Sequence, residues 1–323
     1  MADQPLGIGT FLAADGEQEF PGLVLAGERV VDLRPQGWHS TRQMADDWDE
    51  VLPRLEELAA ADPEAHPLGD LRVLPPIAPD QVLQSGANYR RHVIDLILAE
   101  ERLNGRYTEA EAREMGERIM TERAENGEPY LFFGTATAMC GPVDDVVLPT
   151  DGTQHDWELE LAAVIGRPGR DIPVEEALDH VAGYTIVNDI TTRDRVYRPD
   201  LEAIGTDWLR AKNAPTFLPT GPWIVPAKFI SDPMSLTITL RLNGETMQDA
   251  VTEDMIFDLP TLISYASRKL VLRPGDLLCT GSPAGNGMYH DRFLTAGDVM
   301  ESEITGLGRQ RNMCVAGGVL STT

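Results

Sequence analysis

Beyond Pro129 the chain never runs far before it is made to turn. VDDVVLP, ELELAAVIG, HVAGYTIVND, GPWIVP, LTITLRLNGETMQD, DLLCTGSP and GDVMESEITGLG follow one another, punctuated by Gly, Pro and Asn-Gly. Short runs of this kind, rich in Val, Ile and Thr, suit a pleated, half-buried surface and read as strands. An Asn-Gly step such as Asn243-Gly244 is of the hairpin type. Two helices interrupt the series, one around VEEALDHV and one around LPTLISYASR. The pattern predicts a β-rich mixed region rather than alternating strand and helix.

The segments upstream differ. GIGTFLA, GLVLAG and ERVVDL read as short strands and STRQMADDWDEVLPRLEELAAAD as helix, which predicts a small N-terminal α+β unit over residues 1–75. PEAHPLGDLRVLPPIAPD carries five prolines in eighteen residues and reads as a linker or extended crossing. Residues 76–323 then form the larger domain. Within it, residues 88–128 are Ala- and Glu-rich and predict two helices joined around Asn104-Gly105, with Thr108 and Glu111 as a capping box. This pair reads equally as a lid or as a surface or dimer-contact insertion.

With 52 Asp plus Glu against 27 Lys plus Arg, the net charge of −25 repels nucleic-acid backbones and anionic membranes. Neither is expected as a partner. No apolar stretch approaches the roughly 20 residues needed to span a bilayer, and MADQPLGIGTF lacks the basic head and apolar run of a secretory signal. A cytoplasmic location is expected. Cys140, Cys279 and Cys314 lie far apart, so neither a disulfide framework nor a thiolate zinc site is suggested.

In HDWELELAAV, Glu158 and Glu160 are two residues apart on a strand and share a face, while Leu159 and Leu161 point the other way. An isolated E-x-E is ordinarily solvent-exposed surface. A third acid, Asp189 in GYTIVNDITTRD, stands at the end of another apolar strand, where core packing explains it poorly. Three carboxylates without paired Cys or His favour a hard, oxygen-liking ion such as Mg²⁺ or Mn²⁺ over zinc.

The run HDWELELAAVIGRPGRDIPVEEALDHVAGYTIVNDITTRD resembles the signature of the fumarylacetoacetate hydrolase family. There the order is D-[YW]-E-x-E-L-x-x-V-I-G, then A-x-x-x-V-A-G-Y, then N-D-[VIML]-[TS]-x-R-D. SGANYRRH upstream, and RAKNAPTFLPTGPWIV, LRLNGETMQDAVTEDMIF and LRPGDLLCTGSPAGNGM downstream, extend the likeness over about residues 84 to 310. It implies an α+β fold: a β-rich mixed, rolled-sheet catalytic domain behind the small N-terminal unit, assembled as a homodimer.

By the same resemblance, Glu158, Glu160 and Asp189 are metal ligands, normally for Mg²⁺, with Mn²⁺ or Ca²⁺ as alternatives. His92 is the water-activating base, held by Asp95 three residues on; the family's usual orienting acid is Glu, a departure that bears on the dyad. Lys212 holds the oxyanion or enolate of the substrate. Tyr89, Arg193, Thr280 and Gly281 fall in substrate-binding motifs, with Arg193 gripping a carboxylate or pairing with Asp194. His155 is a rival base, read mainly as a loop residue at the strand entry. Val196 and Gly134 replace a frequent Gln and Lys, which removes polar reach. The implied reaction is hydrolysis of a C–C bond in a β-diketone or acylpyruvate, a small oxo acid or diketone, through a metal-bound enolate. Decarboxylation, hydration, isomerisation or cyclisation at the same site is the alternative, and a non-catalytic ligand-binding homologue is a third.

Overall fold

The proline-rich stretch ahead of residue 80, expected as a linker, is built into a sheet. In this computed structural model, which describes residues 6–13, 16, 18–201, 203 and 205–317, His66–Pro67 and Leu71–Leu74 are strands. They form the two edges of a five-stranded antiparallel sheet whose inner members are Arg29–Asp32, Glu19–Leu25 and Gly7–Ala13. Edge positions tolerate proline because no ladder bond is needed on the outer side, which is why the composition misled. The helix Trp48–Ala60 buries Trp48, Val51 and Leu55.

A six-stranded sheet carries the site. Its order is Val225–Pro226, Val181–Asn188, Leu159–Ile165, Leu277–Cys279, Val82–Ser85 and Leu131–Gly134. Only the pairing of Leu277–Cys279 with Val82–Ser85 is parallel. Every residue of Leu159–Ile165 is buried, because both faces of this strand are covered. Leu159, Leu161, Ala163 and Ile165 enter one core with Trp157, Phe217 and Leu262. Ala162 and Val164 enter a second core, shared with Leu23, Trp48 and Leu55 of the N-terminal unit. The period of two thus assigns the even positions, Glu160 among them, to the face opposite the large leucines.

A second five-stranded sheet contains Glu245–Val251, Thr237–Leu242, Val299–Ile304, Gly308–Ala316 and Val146–Leu148. Asn243 and Gly244 both have positive φ at its hairpin turn, as the Asn-Gly step implies. The Gly308–Ala316 strand escapes the sequence reading because its exposed positions hold Arg309, Arg311 and Met313 around buried Gln310, Asn312 and Cys314. VEEALDHV is a 3₁₀ segment, Val174–His180, and not an α-helix. Pro173 begins it, the next strand starts at Val181, and Ala177 is its one buried anchor, too little for a full α-helix.

The helices Arg90–Asn104 and Glu109–Asn126 form a hairpin, turned at Gly105 with φ of 63° and capped by the reciprocal Thr108–Glu111 bonds. Ile94, Leu98, Ala112 and Met120 give it a small core of its own. The whole is the α+β, β-rich mixed-sheet architecture that the sequence predicts. Among the described residues no helix is long and apolar enough to cross a membrane.

Candidate metal centre

Backbone pairing across the six-stranded sheet brings the three acids together. The Glu158 N–H donates to the side-chain oxygen of Asn188 (2.9 Å), and the Asp189 N–H donates to the Glu158 carbonyl (2.8 Å). Asp189 therefore leaves the end of Val181–Asn188 beside Glu158, with Glu160 one pleat further on. One carboxylate oxygen from each of Glu158, Glu160 and Asp189 lies within 4.8 Å of the others, and all three residues are buried.

Two cations enter this cluster. Lys212, at the end of the short helix Trp208–Lys212, donates from Nζ to Glu158 Oε2 (2.6 Å), Asp189 Oδ2 (2.5 Å) and Thr191 Oγ1 (2.7 Å). Arg193 forks between Asp156 Oδ2 (2.8 Å) and Glu158 Oε1 (2.5 Å). Gln84 Nε2 donates to Asp189 Oδ1 (2.6 Å), and the Gly281 N–H to Glu160 Oε2 (2.8 Å). Four carboxylates, those of Asp156, Glu158, Glu160 and Asp189, thus face two cations in a buried space. When all are ionised, two negative charges are left over.

That surplus is unevenly held. Burial works against the Glu158 charge, yet Arg193 and Lys212 outweigh it and keep this carboxyl below the usual range. Glu160 has neither cation in contact. Burial, then the charges of Asp189 and Glu158, push it well above the usual range. Asp189 is also raised, by burial first and by Glu158, with Lys212 opposing. A hard dication fits this donor set on three counts: all-oxygen ligands, their convergence, and a charge deficit of its own size. Because protons must leave Glu160 and Asp189 before an ion binds, affinity is expected to fall on acidification, beginning above the pH near 4 at which free carboxylates titrate. Calorimetric Mg²⁺ titrations at neutral pH and at about pH 5 check this; equal affinities contradict it.

Several expected neighbours are rearranged. His92 is buried and faces the cluster, its Nε2 3.9 Å from Glu158 Oε1. Burial pushes its pKa down to about 4, with Arg193 and Lys212 adding to the effect and Glu158 opposing. Asp95 does not hold it: no hydrogen bond or ion pair joins the two. Asp95 instead lines a cleft of about 500 Å³ together with Arg91, Arg113 and His290. A spacing of three puts two side chains on adjacent rows of a helix, but here the helix packs so that one row meets the sheet and the other the cleft.

Arg193 neither stands free for a substrate carboxylate nor pairs with Asp194, because it is committed to Asp156 and Glu158. Asp194 accepts instead from the Thr153 and Gln154 N–H groups. The Thr280 hydroxyl donates to the Leu161 carbonyl (2.9 Å) inside the sheet, and Tyr89 is fully buried in the main core. Gly281, with φ of 92°, serves Glu160 through its N–H. His155 hydrogen-bonds Thr192 Oγ1 through Nδ1 (3.0 Å) and packs edge-on to Phe217, a structural role at the strand entry.

Asp156, Gln84, Asn188 and Asn286 join the site without being among its sequence-based candidates. Asp156, two residues before Glu158, had a signal in the same period-two argument; the others are reached only through the fold. Gly134 is explained by Gln84. A Cβ at 134 would lie 2.5 Å from Gln84 Oε1 and 2.9 Å from its Cδ. Gly134→Ala is therefore expected to dislodge Gln84 from Asp189 and weaken divalent-ion binding roughly tenfold, the lower end for loss of a ligand's supporting bond. Mn²⁺ calorimetry measures it, and wild-type affinity in that variant removes Gln84 from the centre.

A mixed-sheet fold carrying a buried E-x-E and an aspartate on paired strands defines a class. Residues 81–315 match the Fumarylacetoacetate (FAA) hydrolase C-terminal family, and the chain belongs to it. It is 36% identical over 305 residues, 91% of each chain, to the 2,4-didehydro-3-deoxy-L-rhamnonate hydrolase of Sphingomonas sp. (strain SKA58). It is 41% identical over 190 residues to "Oxaloacetate tautomerase fahd2, mitochondrial" of Xenopus laevis, a match that spans only 58% of either chain. Among solved structures it resembles the maleylpyruvate hydrolase of Sphingobium sp. SYK-6 in complex with manganese(II) ion and pyruvate, at TM-score 0.73 and 25% identity over 97% of this chain and all of that one. Family members thus include hydrolases and tautomerases, and a divalent metal occurs among them.

Proposed function

We propose that this chain is a divalent-metal-dependent enzyme that hydrolyses a C–C bond in a β-diketone or acylpyruvate-type oxo acid, with Mg²⁺ as its ion. The observation that carries the reading is the buried convergence of Glu158, Glu160 and Asp189, one oxygen of each within 4.8 Å of the others. When bound, a dication supplies Lewis-acid polarisation of a carbonyl. The chain's own residues do the rest. Lys212 sets a buried ammonium against the carboxylates of Glu158 and Asp189, where its field on enolate charge developing beside them is least screened. Arg193 fixes Glu158 from the opposite side, and the Gly281 N–H fixes Glu160. The bacterial relative named as a hydrolase, alike over 91% of its length, supports this reaction.

A second reading, interconversion of keto and enol forms of an oxo acid, is favoured by one observation. Asp95 is turned away from His92, so the imidazole lacks the orienting acid expected of it as a water-activating base. The frog relative named as a tautomerase is consistent with it. Incubating acylpyruvates with the Mg²⁺-loaded protein in ¹⁸O water separates the two. One labelled oxygen in the acid product is the expected result, and cleavage without label, or label-free enol formation alone, overturns hydrolysis.

A further inference from the structure

The imidazole of His92 has a partner that is not acidic. Asn286 is fully buried, and its Nδ2 lies 3.4 Å from His92 Nδ1. The other end of that amide is spoken for: Oδ1 accepts from the Tyr289 N–H (3.3 Å), capping the short Gly287–His290 turn of helix. Reversing the amide would set its NH₂ against a backbone N–H, donor against donor, so the end that faces His92 is a donor.

We infer that Asn286 positions His92 by donating to Nδ1, fixing the neutral tautomer with its proton on Nε2. A donor placed on one ring nitrogen requires a lone pair there and sends the ring's proton to the other. The nitrogen that faces Glu158 is then an N–H and has no lone pair with which to draw a proton from water. His92 is a hydrogen-bond donor toward the carboxylate cluster and whatever oxygen is bound there. In keto–enol interconversion such a donor stabilises an enolate oxygen, and in hydrolysis the water is activated by another group. Only what the Nε2 proton faces rests on the reading of the metal centre.

The test is long-range ¹H–¹⁵N correlation on ¹⁵N-histidine protein, metal-free and Mg²⁺-loaded, with His92→Gln to identify the resonances. The expected wild-type spectrum shows a neutral His92 ring with protonated Nε2 and bare Nδ1, in both forms. Asn286→Asp, whose carboxylate accepts, is expected to move the proton to Nδ1, and Asn286→Leu to give a mixture. A wild-type ring protonated at Nδ1 or at both nitrogens overturns the inference, as does an Asn286→Leu spectrum identical to wild type. If the substituted chains fail to fold, the wild-type tautomer alone decides. Loss of the metal reading registers separately, as absence of saturable Mg²⁺ binding, and leaves the tautomer result standing.

Discussion

Glu160→Gln should leave the protein folded and strip it of its metal. Glu160 accepts its hydrogen bond from a backbone group, the Gly281 N–H, and an amide oxygen accepts that bond equally well. The substitution preserves volume, and burial together with the charges of Asp189 and Glu158 already holds this side chain away from ionisation. Metal-free stability is therefore expected to stay level, since a side chain already held away from its charged form is replaced by a neutral one of the same shape. Ion binding loses one of three anionic donors. With it goes the Lewis acid, and turnover of the cleaved substrate should fall on the order of a thousandfold, about 4 kcal/mol of transition-state stabilisation. Calorimetry with Mg²⁺ and Mn²⁺, beside a thermal melt, reads both halves. Wild-type affinity in a well-folded Glu160→Gln protein would falsify the assignment of the centre.

Lys212→Met should do the reverse, sparing the ligands and undermining the fold that holds them. Lys212 is almost entirely buried and donates to both Glu158 and Asp189, where burial opposes its charge but those two carboxylates outweigh it. A thioether of similar length fills the space and leaves two carboxylates without their shared cation. Removing one member of a buried ion pair costs about 3–5 kcal/mol, chiefly through the unpaired charge that remains. The metal-free variant should therefore melt well below wild type, and excess Mg²⁺ should recover much of the loss, because a dication binds the folded form and neutralises the same oxygens. Denaturant unfolding with and without Mg²⁺ measures the difference. A variant as stable as wild type without metal shows that Lys212 does not balance this cluster.

How much of the site could be read from letters follows from how each contact is made. Glu158 and Glu160 are legible because a strand repeats every two residues, and Asp189 because an acid ending an apolar strand has no core reason to be there. These are local facts, and the fold keeps them. Asn286 and His92 are 194 positions apart and meet only through packing of the helical hairpin against the loop after Cys279. Gln84 reaches Asp189 across 105 positions. Asp95 shows the converse failure: helical spacing correctly places it near His92 along the chain, but says nothing of which surface each row meets. The sequence neighbour of Arg193 is Asp194, whereas its partners, Asp156 and Glu158, lie across the Asp156–Thr191 strand pairing. The N-terminal sheet was found only in part, since proline counts argue against strands except at edges, where two of these strands lie.

The helical hairpin has a consequence for how the centre is assembled. The three acids are rooted in the sheet, whereas His92 belongs to the first turn of a unit held together by Ile94, Leu98, Ala112 and Met120. The three carboxylates and the imidazole that faces them are thus held in place by different parts of the fold, the sheet and the helical hairpin.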